Sequence, residues 1–511
     1  GELNLYTRQT DDRGTWYLPT PLNVEGIDAN YTQIGPLNRQ GTITYGPNDT
    51  AESFDFGEGR GWDGHVSGGS IKLDLGNDWQ LVDRFNLTKG KANTFGLVPN
   101  GSATTVASVA DNGESATGAV TGTVYDGDTP IQQIGRWVVL KDIEAFTNDL
   151  AVSKSWEDFD TSFGIYSATT KAEDWWSIGN TAYHVLQPGG ELLDGIECNT
   201  DAQGCDWNYD ISSVGDASTF AVYATGTWYA TTDLSIDLGL RRENHEVSYS
   251  VDEGLDGEIT KALEYDETKT SWTVGANYAL NDTSGVFVRM NRGYKMPYFD
   301  DFRDNWGAYT GGNDLIKEVT QGELGYKFMN DSIQFFATAF ANEVKGDTFV
   351  RRPGAPAEIL TNEAYGLELD GRYSHDSGFS LSVNATIQET EITASANNEG
   401  NESQRQPGWQ VRVTPSYGFD IGDMYATVYG TLSAVDDRFG NNENTVVLEG
   451  YEKVDVGLTL EPTESLRLQF SVDNLTDEQG ITEGDPRNPD SPNGRYIMPR
   501  SMKLSVSYLF F

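Results

Sequence analysis

Apolar and polar residues alternate along much of the chain. Leu466, Leu468, Phe470 and Val472 interleave with Arg467, Gln469, Ser471 and Asp473. Val454, Val456, Leu458 and Leu460 alternate with Asp455, Gly457 and Thr459, and Leu234, Ile236, Leu238 and Leu240 with Ser235, Asp237 and Gly239. A period of two with one apolar face means half-buried strands. At roughly ten residues each they are long for globular sheets and suit tilted strands crossing a bilayer.

The connections are of two kinds. Short polar turns recur at 76–78, 157–158, 231–233, 281–282, 330–331, 375–376, 421–423 and 462–463, each joining two alternating segments as a hairpin. Long polar insertions lie between the hairpins, over 9–65, 90–145, 170–216, 294–317, 393–404 and 475–498. Tight turns at one end and long loops at the other predict an all-β transmembrane antiparallel barrel with long extracellular loops and short periplasmic turns. A propeller would repeat at a fixed period, and Trp79, Trp156, Trp228, Tyr229 and Tyr508 fit interfacial girdles.

Eighteen strands are expected, near 2–8, 66–75, 79–89, 146–156, 159–169, 217–229, 233–247, 267–279 and 283–293, then 318–328, 332–345, 361–374, 378–392, 406–419, 423–435, 449–461, 465–474 and 499–511. The even count places both ends of the chain on the periplasmic side.

Composition narrows the classes. The formal net charge is −43, which repels phosphate and excludes nucleic acid as a partner. Acidic disorder is argued against by an aromatic content of 12%. The apolar runs are far shorter than a spanning helix needs. Cys198 and Cys205 sit in a polar, Gly-containing stretch that suits a small disulfide-closed loop in an oxidising compartment. The four histidines, His65, His184, His245 and His375, show no helical metal spacing, and no catalytic constellation stands out, so no enzyme, no catalytic residue, no cofactor and no bound transition metal is expected.

Specific motifs add a family. Val286-Phe-Val-Arg-Met-Asn-Arg-Gly-Tyr-Lys-Met-Pro297 resembles the strand-plus-loop motif of TonB-dependent outer-membrane receptors. The hairpin of Glu318 to Phe328 and Ile333 to Phe340, the strand start Asn362 to Glu368, the box Asn474-Leu-Thr-Asp477 and the terminal segment Arg495 to Phe511 resemble the following elements in the family's order. Together they cover residues 280–511. Residues 12–19 and 60–65 resemble loop segments from the first third of such barrels.

The resemblance implies 22 strands around a plugged lumen, and hence a plug and first strands expected outside this sequence, with 1–511 as barrel domain. It also implies transport in the Gram-negative outer membrane, with lipid, lipopolysaccharide, TonB (through the plug), a small solute and the barrel assembly machinery as partners. The last is expected to read the C-terminal strand, where Leu504, Val506, Tyr508 and Phe510 hold the outward phase and Phe511 falls outside it. A passive eighteen-stranded porin and a surface adhesin or phage-binding protein are the alternatives.

The candidate ligand residues are aromatic and acidic positions of the long loops: Trp175, Trp176, Trp207, Tyr209, Tyr298, Phe299, Asp300, Asp301, Arg303, Asp304, Trp306 and Tyr309. Aromatic faces beside carboxylates can stack on sugars or siderophore rings while polar groups fix hydroxyls. Iron–siderophore complexes are what the family implies. The acidic, Trp-bearing loops lean toward neutral oligosaccharides, because many ferric siderophores are anions. The carboxylates after Pro297 are also of the type that holds Ca²⁺.

Overall fold

A computed structural model describes residues 1–111, 113–196, 208–351, 355–485 and 492–510. Its main sheet has eighteen antiparallel strands. They are β1 (Glu2–Gly14), β2 (Arg60–Gly76), β3 (Trp79–Thr105), β4 (Pro130–Ser155), β5 (Phe159–Val185) and β6 (Asn208–Tyr229). Then come β7 (Leu234–Glu253), β8 (Lys261–Asn281), β9 (Ser284–Lys295), β10 (Lys317–Met329), β11 (Ile333–Phe349) and β12 (Glu358–Ser374). The last six are β13 (Phe379–Ala394), β14 (Trp409–Ile421), β15 (Met424–Val435), β16 (Tyr451–Thr463), β17 (Leu466–Asp473) and β18 (Ser501–Tyr508).

Each strand pairs with the next in chain order. β2 is flanked by β1 and β3, and β17 by β16 and β18, so β1 and β18 are the two edges of the ladder. All eighteen expected strands are present, and most run further toward the long loops than alternation alone placed them.

The short turns follow from local chemistry. Gly76 pairs with Trp79 across Asn77 and Asp78, whose φ angles of 53° and 64° are the left-handed values a two-residue hairpin demands. Beside this turn Lys154 lies between two indoles, 5.0 Å from the Trp79 ring and 4.3 Å from the Trp156 ring, and donates to the Asn77 carbonyl at 3.0 Å.

β7 shows how the wall is built. Its outward residues Leu234, Ile236, Leu238 and Leu240 are apolar, the last two 51% and 56% exposed, as a lipid-facing surface requires. Asp237, Arg241 and Glu243 point the other way, into the lumen. Past Arg242 the polarity reverses: Glu246 and Ser248 lie outward and exposed, while Val247, Tyr249 and Val251 are buried inward. The register with β8 runs through this inversion without a bulge, so it is the environment that changes, not the strand. Above the band the barrel is lined by loops rather than surrounded by lipid.

These loops have their own cores. The hairpin of Gln40–Tyr45 and Thr50–Asp55 and the turn that follows it pack Ile43 and Phe56 onto Phe95, Leu97 and Val138 of β3 and β4. A second cluster joins Val106, Ala116, Ile131, Val185 and Leu193. Next to it the fully buried Glu191 carboxylate accepts from the backbone of Val120 and Thr121 at 3.0 and 2.9 Å and from the Tyr125 hydroxyl at 3.0 Å.

Candidate ligand-binding mouth of the barrel

The segment after Pro297 folds inward as two short helices, α1 (Phe299–Asp304) and α2 (Trp306–Thr310), against the inner faces of β5 to β8. Asp301 starts α1 by accepting from the Tyr298 backbone at 3.0 Å. Phe302 is wholly buried, 5.2 Å from both the Tyr265 and Tyr309 rings, and Phe299 stacks on Tyr249 at 6.0 Å. Gly215 on β6 lacks a side chain where the Phe299 ring lies; a methyl there would collide with it.

His245 fixes the entry to α1. Its Nε2–H donates to the Pro297 carbonyl at 3.0 Å, because a carbonyl only accepts, and its Nδ1 therefore accepts from the Thr219 hydroxyl at 2.8 Å.

Arg303 is the electrostatic centre. It donates to Asp304 at 2.8 and 3.0 Å and to Asp300 at 2.7 Å, lies 3.8 Å from Asp174 and stacks on the Trp176 ring at 4.0 Å. Lys141 bridges Asp174 at 2.8 Å and Asp300 at 3.1 Å. Arg303 and Asp174 keep only 5% and 4% of their side-chain surface, so neither charge is tolerable without the other's network. Burial alone would raise the Asp300 pKa, but Arg303 and Lys141 outweigh it and hold the carboxyl below its ordinary range. Burial would likewise lower the Arg303 pKa, and Asp300 and Asp304 reverse it.

The structure therefore gathers most of the candidate residues into one body. Trp176, Tyr209, Phe299, Phe302, Trp306 and Tyr309 are its packing, while Tyr298, Asp300 and Asp304 remain partly exposed at its surface. Asp300, Asp301 and Asp304 are each engaged by a cation, Asp301 by Lys295 at 3.2 Å. Trp175 stands apart, edge-on to Tyr45 at 4.9 Å. Cys198, Cys205 and Trp207 lie outside the described residues. Lys141, Asp174 and His245 contact this body, and sequence reasoning did not assign them to it; their signal was a charged or ring residue on the lumen phase of a strand. Among the described residues no group of three or more His, Cys, Asp or Glu side chains converges as a metal site.

Toward the short turns the lumen stays polar. A cavity of about 680 Å³ is lined there by Asp237, Asn277, Arg289, Glu323 and Lys327, among others. Lys327 donates to Asn277 at 2.9 Å, and Asn277 to Asp237 at 3.2 Å.

A family model of the TonB-dependent receptor-like β-barrel matches residues 3–475. The chain belongs to that family. Receptors of known structure share its fold. The siderophore receptor of Acinetobacter baumannii superposes with a TM-score of 0.65 at 15% identity, over 99% of this chain and 71% of that one. The ferric yersiniabactin uptake receptor of Yersinia pestis gives 0.64 at 17% identity, over 88% and 62%. Among curated relatives, the pesticin receptor of Yersinia enterocolitica is 25% identical over 321 residues, 59% of this chain and 45% of the relative. The chain thus spans about half the length of the curated relatives it matches.

Proposed function

We propose that this chain is the barrel of a receptor in the Gram-negative outer membrane that takes up a scarce solute on TonB energy, with a ferric siderophore as the solute class. The match of the family model over residues 3–475 carries the reading. The siderophore and yersiniabactin receptors that share the fold supply the ligand class. In this reading the long loops and the α1–α2 body face outside, both described ends of the chain face the periplasm, and Tyr298, Asp300 and Asp304 form the rim that a ligand first meets. A Ca²⁺ ion at that loop would have to displace Arg303 or Lys141. The polar lumen wall suits contact with a folded plug, and energised transport requires such a plug and strands that bridge the β1 and β18 edges.

Growth on defined iron sources tests the proposal. A strain lacking the gene should fail on at least one ferric siderophore as sole iron source, and loss of TonB should reproduce the defect. Uptake indifferent to TonB would instead indicate a passive pore. Unimpaired growth on every iron and carbon source would leave a binding surface without transport, and would overturn the proposal.

A further inference from the structure

The lipid-facing surface is not uniform around the wall. At mid-band the outward residues of β6 to β18 are apolar, as with Val222, Leu238, Val288, Leu324, Leu369 and Val413. On β3 to β5 the same outward phase carries Asp83, Asn148 and Ser167.

These three lie within the band, not above it. Asp83 sits between Leu81 and Phe85 on β3, Asn148 between Phe146 and Leu150 on β4, and Ser167 beside Ile165 on β5. The first outward charges toward the long loops are Lys89, Glu144 and Lys171, and Lys89 meets Glu144 at 2.9 Å. Asn148 and Ser167 stand four residues below Glu144 and Lys171, and Asp83 six below Lys89. At about 3.3 Å per residue and a tilt near about 45°, those offsets are about 9 and about 14 Å into a band about 25 Å tall.

The three form one patch. Asn148 and Ser167 are cross-strand partners, and the Asn148 amide nitrogen donates to the Asp83 Oδ1 at 2.7 Å. Tying the nitrogen down in this way leaves the Asn148 oxygen as the free end of the amide. Among the described residues the Asp83 Oδ2, the Asn148 Oδ1 and the Ser167 hydroxyl have no side-chain hydrogen bond, and none of them is closed off within the chain. Phe85 and Phe220 flank the Asn148–Ser167 pair in register, and Phe146 and Phe163 stand exposed above and below it.

Hydrocarbon offers these atoms no hydrogen-bond partner; at this depth another polypeptide does. We infer that the outward face of β3 to β5 is a lateral docking surface for a second copy of this chain in the membrane. Self-complementarity selects that occupant. The Ser167 hydroxyl of each copy donates to the Asn148 Oδ1 of the other, giving two equivalent bonds as an isologous interface requires. Asn148 and Ser167 lie the same number of residues below the charged belt, so a two-fold axis along the membrane normal sets each opposite the other's partner. The four phenylalanine rings close around the polar centre and keep lipid from it. The inference stands on the barrel fold, not on the uptake reading.

Photocrosslinking tests it, in outer membranes of cells that carry the whole gene product. p-Benzoylphenylalanine replaces Phe146 in the patch or, as a control, Phe335, an exposed outward residue of β11. Position 146 should give an adduct of twice the protein's mass in which mass spectrometry finds this chain alone. Position 335 should give at least tenfold less. Combining Asn148→Leu with Ser167→Ala should lower the adduct at 146 tenfold or more, with heat-modifiable migration on gels confirming a folded barrel. Ser167→Ala by itself should act in the same direction if the double variant does not insert, and Ser167→Thr, which keeps the hydroxyl, should retain the adduct.

No adduct at 146, equal adducts at 146 and 335, an adduct with another protein only, or one indifferent to these variants overturns the inference. The growth experiment bears on uptake alone, so either reading can fail without the other.

Discussion

The transmembrane band and the mouth of the barrel are built from the same strands with opposite polarity. In the band the outward positions of β7 are leucine and isoleucine and the inward ones include Asp237, Arg241 and Glu243. In the mouth, a few residues further along, the outward ones are polar and the inward ones are Val247, Tyr249 and Val251. Which face is apolar is thus set by what lies beyond it: lipid below, a packed loop above. The band needs no partner from the chain itself, whereas the mouth depends on α1 and its ion network.

That difference can be broken from either side. Phe302→Ala should cost the mouth about 3–5 kcal/mol, seen as loss of near-ultraviolet circular dichroism from the aromatic cluster while far-ultraviolet strand signal persists. Collapse of both signals together would show the two regions to be one cooperative unit. Leu238→Arg should cost the band about 2–4 kcal/mol near mid-depth, read as a lowered denaturant midpoint in phospholipid vesicles with the mouth's aromatic signal unchanged at low denaturant.

The smallest effect concerns pH. The Asp300 carboxyl is held below its ordinary range, so its contribution is complete above about pH 4 and is lost as pH falls through the lower folded value. The aromatic signal of the mouth should weaken over that acid range, and Asn at position 300 should remove that component. An identical acid profile for Asp300→Asn would show the pairing to contribute nothing.

The band was legible because lipid enforces a strict period of two, and β7, β16 and β17 carry it plainly. The mouth was less so, for a physical reason. At Arg241-Arg242 the apolar phase switches faces, and the expected strand stops soon after, at 247, yet the backbone continues in register to Val251. Trp175 and Trp176 show the same effect: neighbouring residues on a strand point opposite ways, so Trp176 lies under Arg303 while Trp175 meets Tyr45. The segment 294–317 was identifiable as the richest loop chemistry, but its inward fold depends on a gap at Gly215 and on His245, which no local pattern reveals.

The lysine held between Trp79 and Trp156 has a mechanical meaning. Sliding the barrel one way along the membrane normal would drag an ammonium into hydrocarbon, and sliding it the other way would pull two indoles out of the interface they favour. The turn at Asn77, tied to the same lysine, therefore works as a depth stop. Whatever moves within the lumen moves against a wall that is pinned at a fixed height.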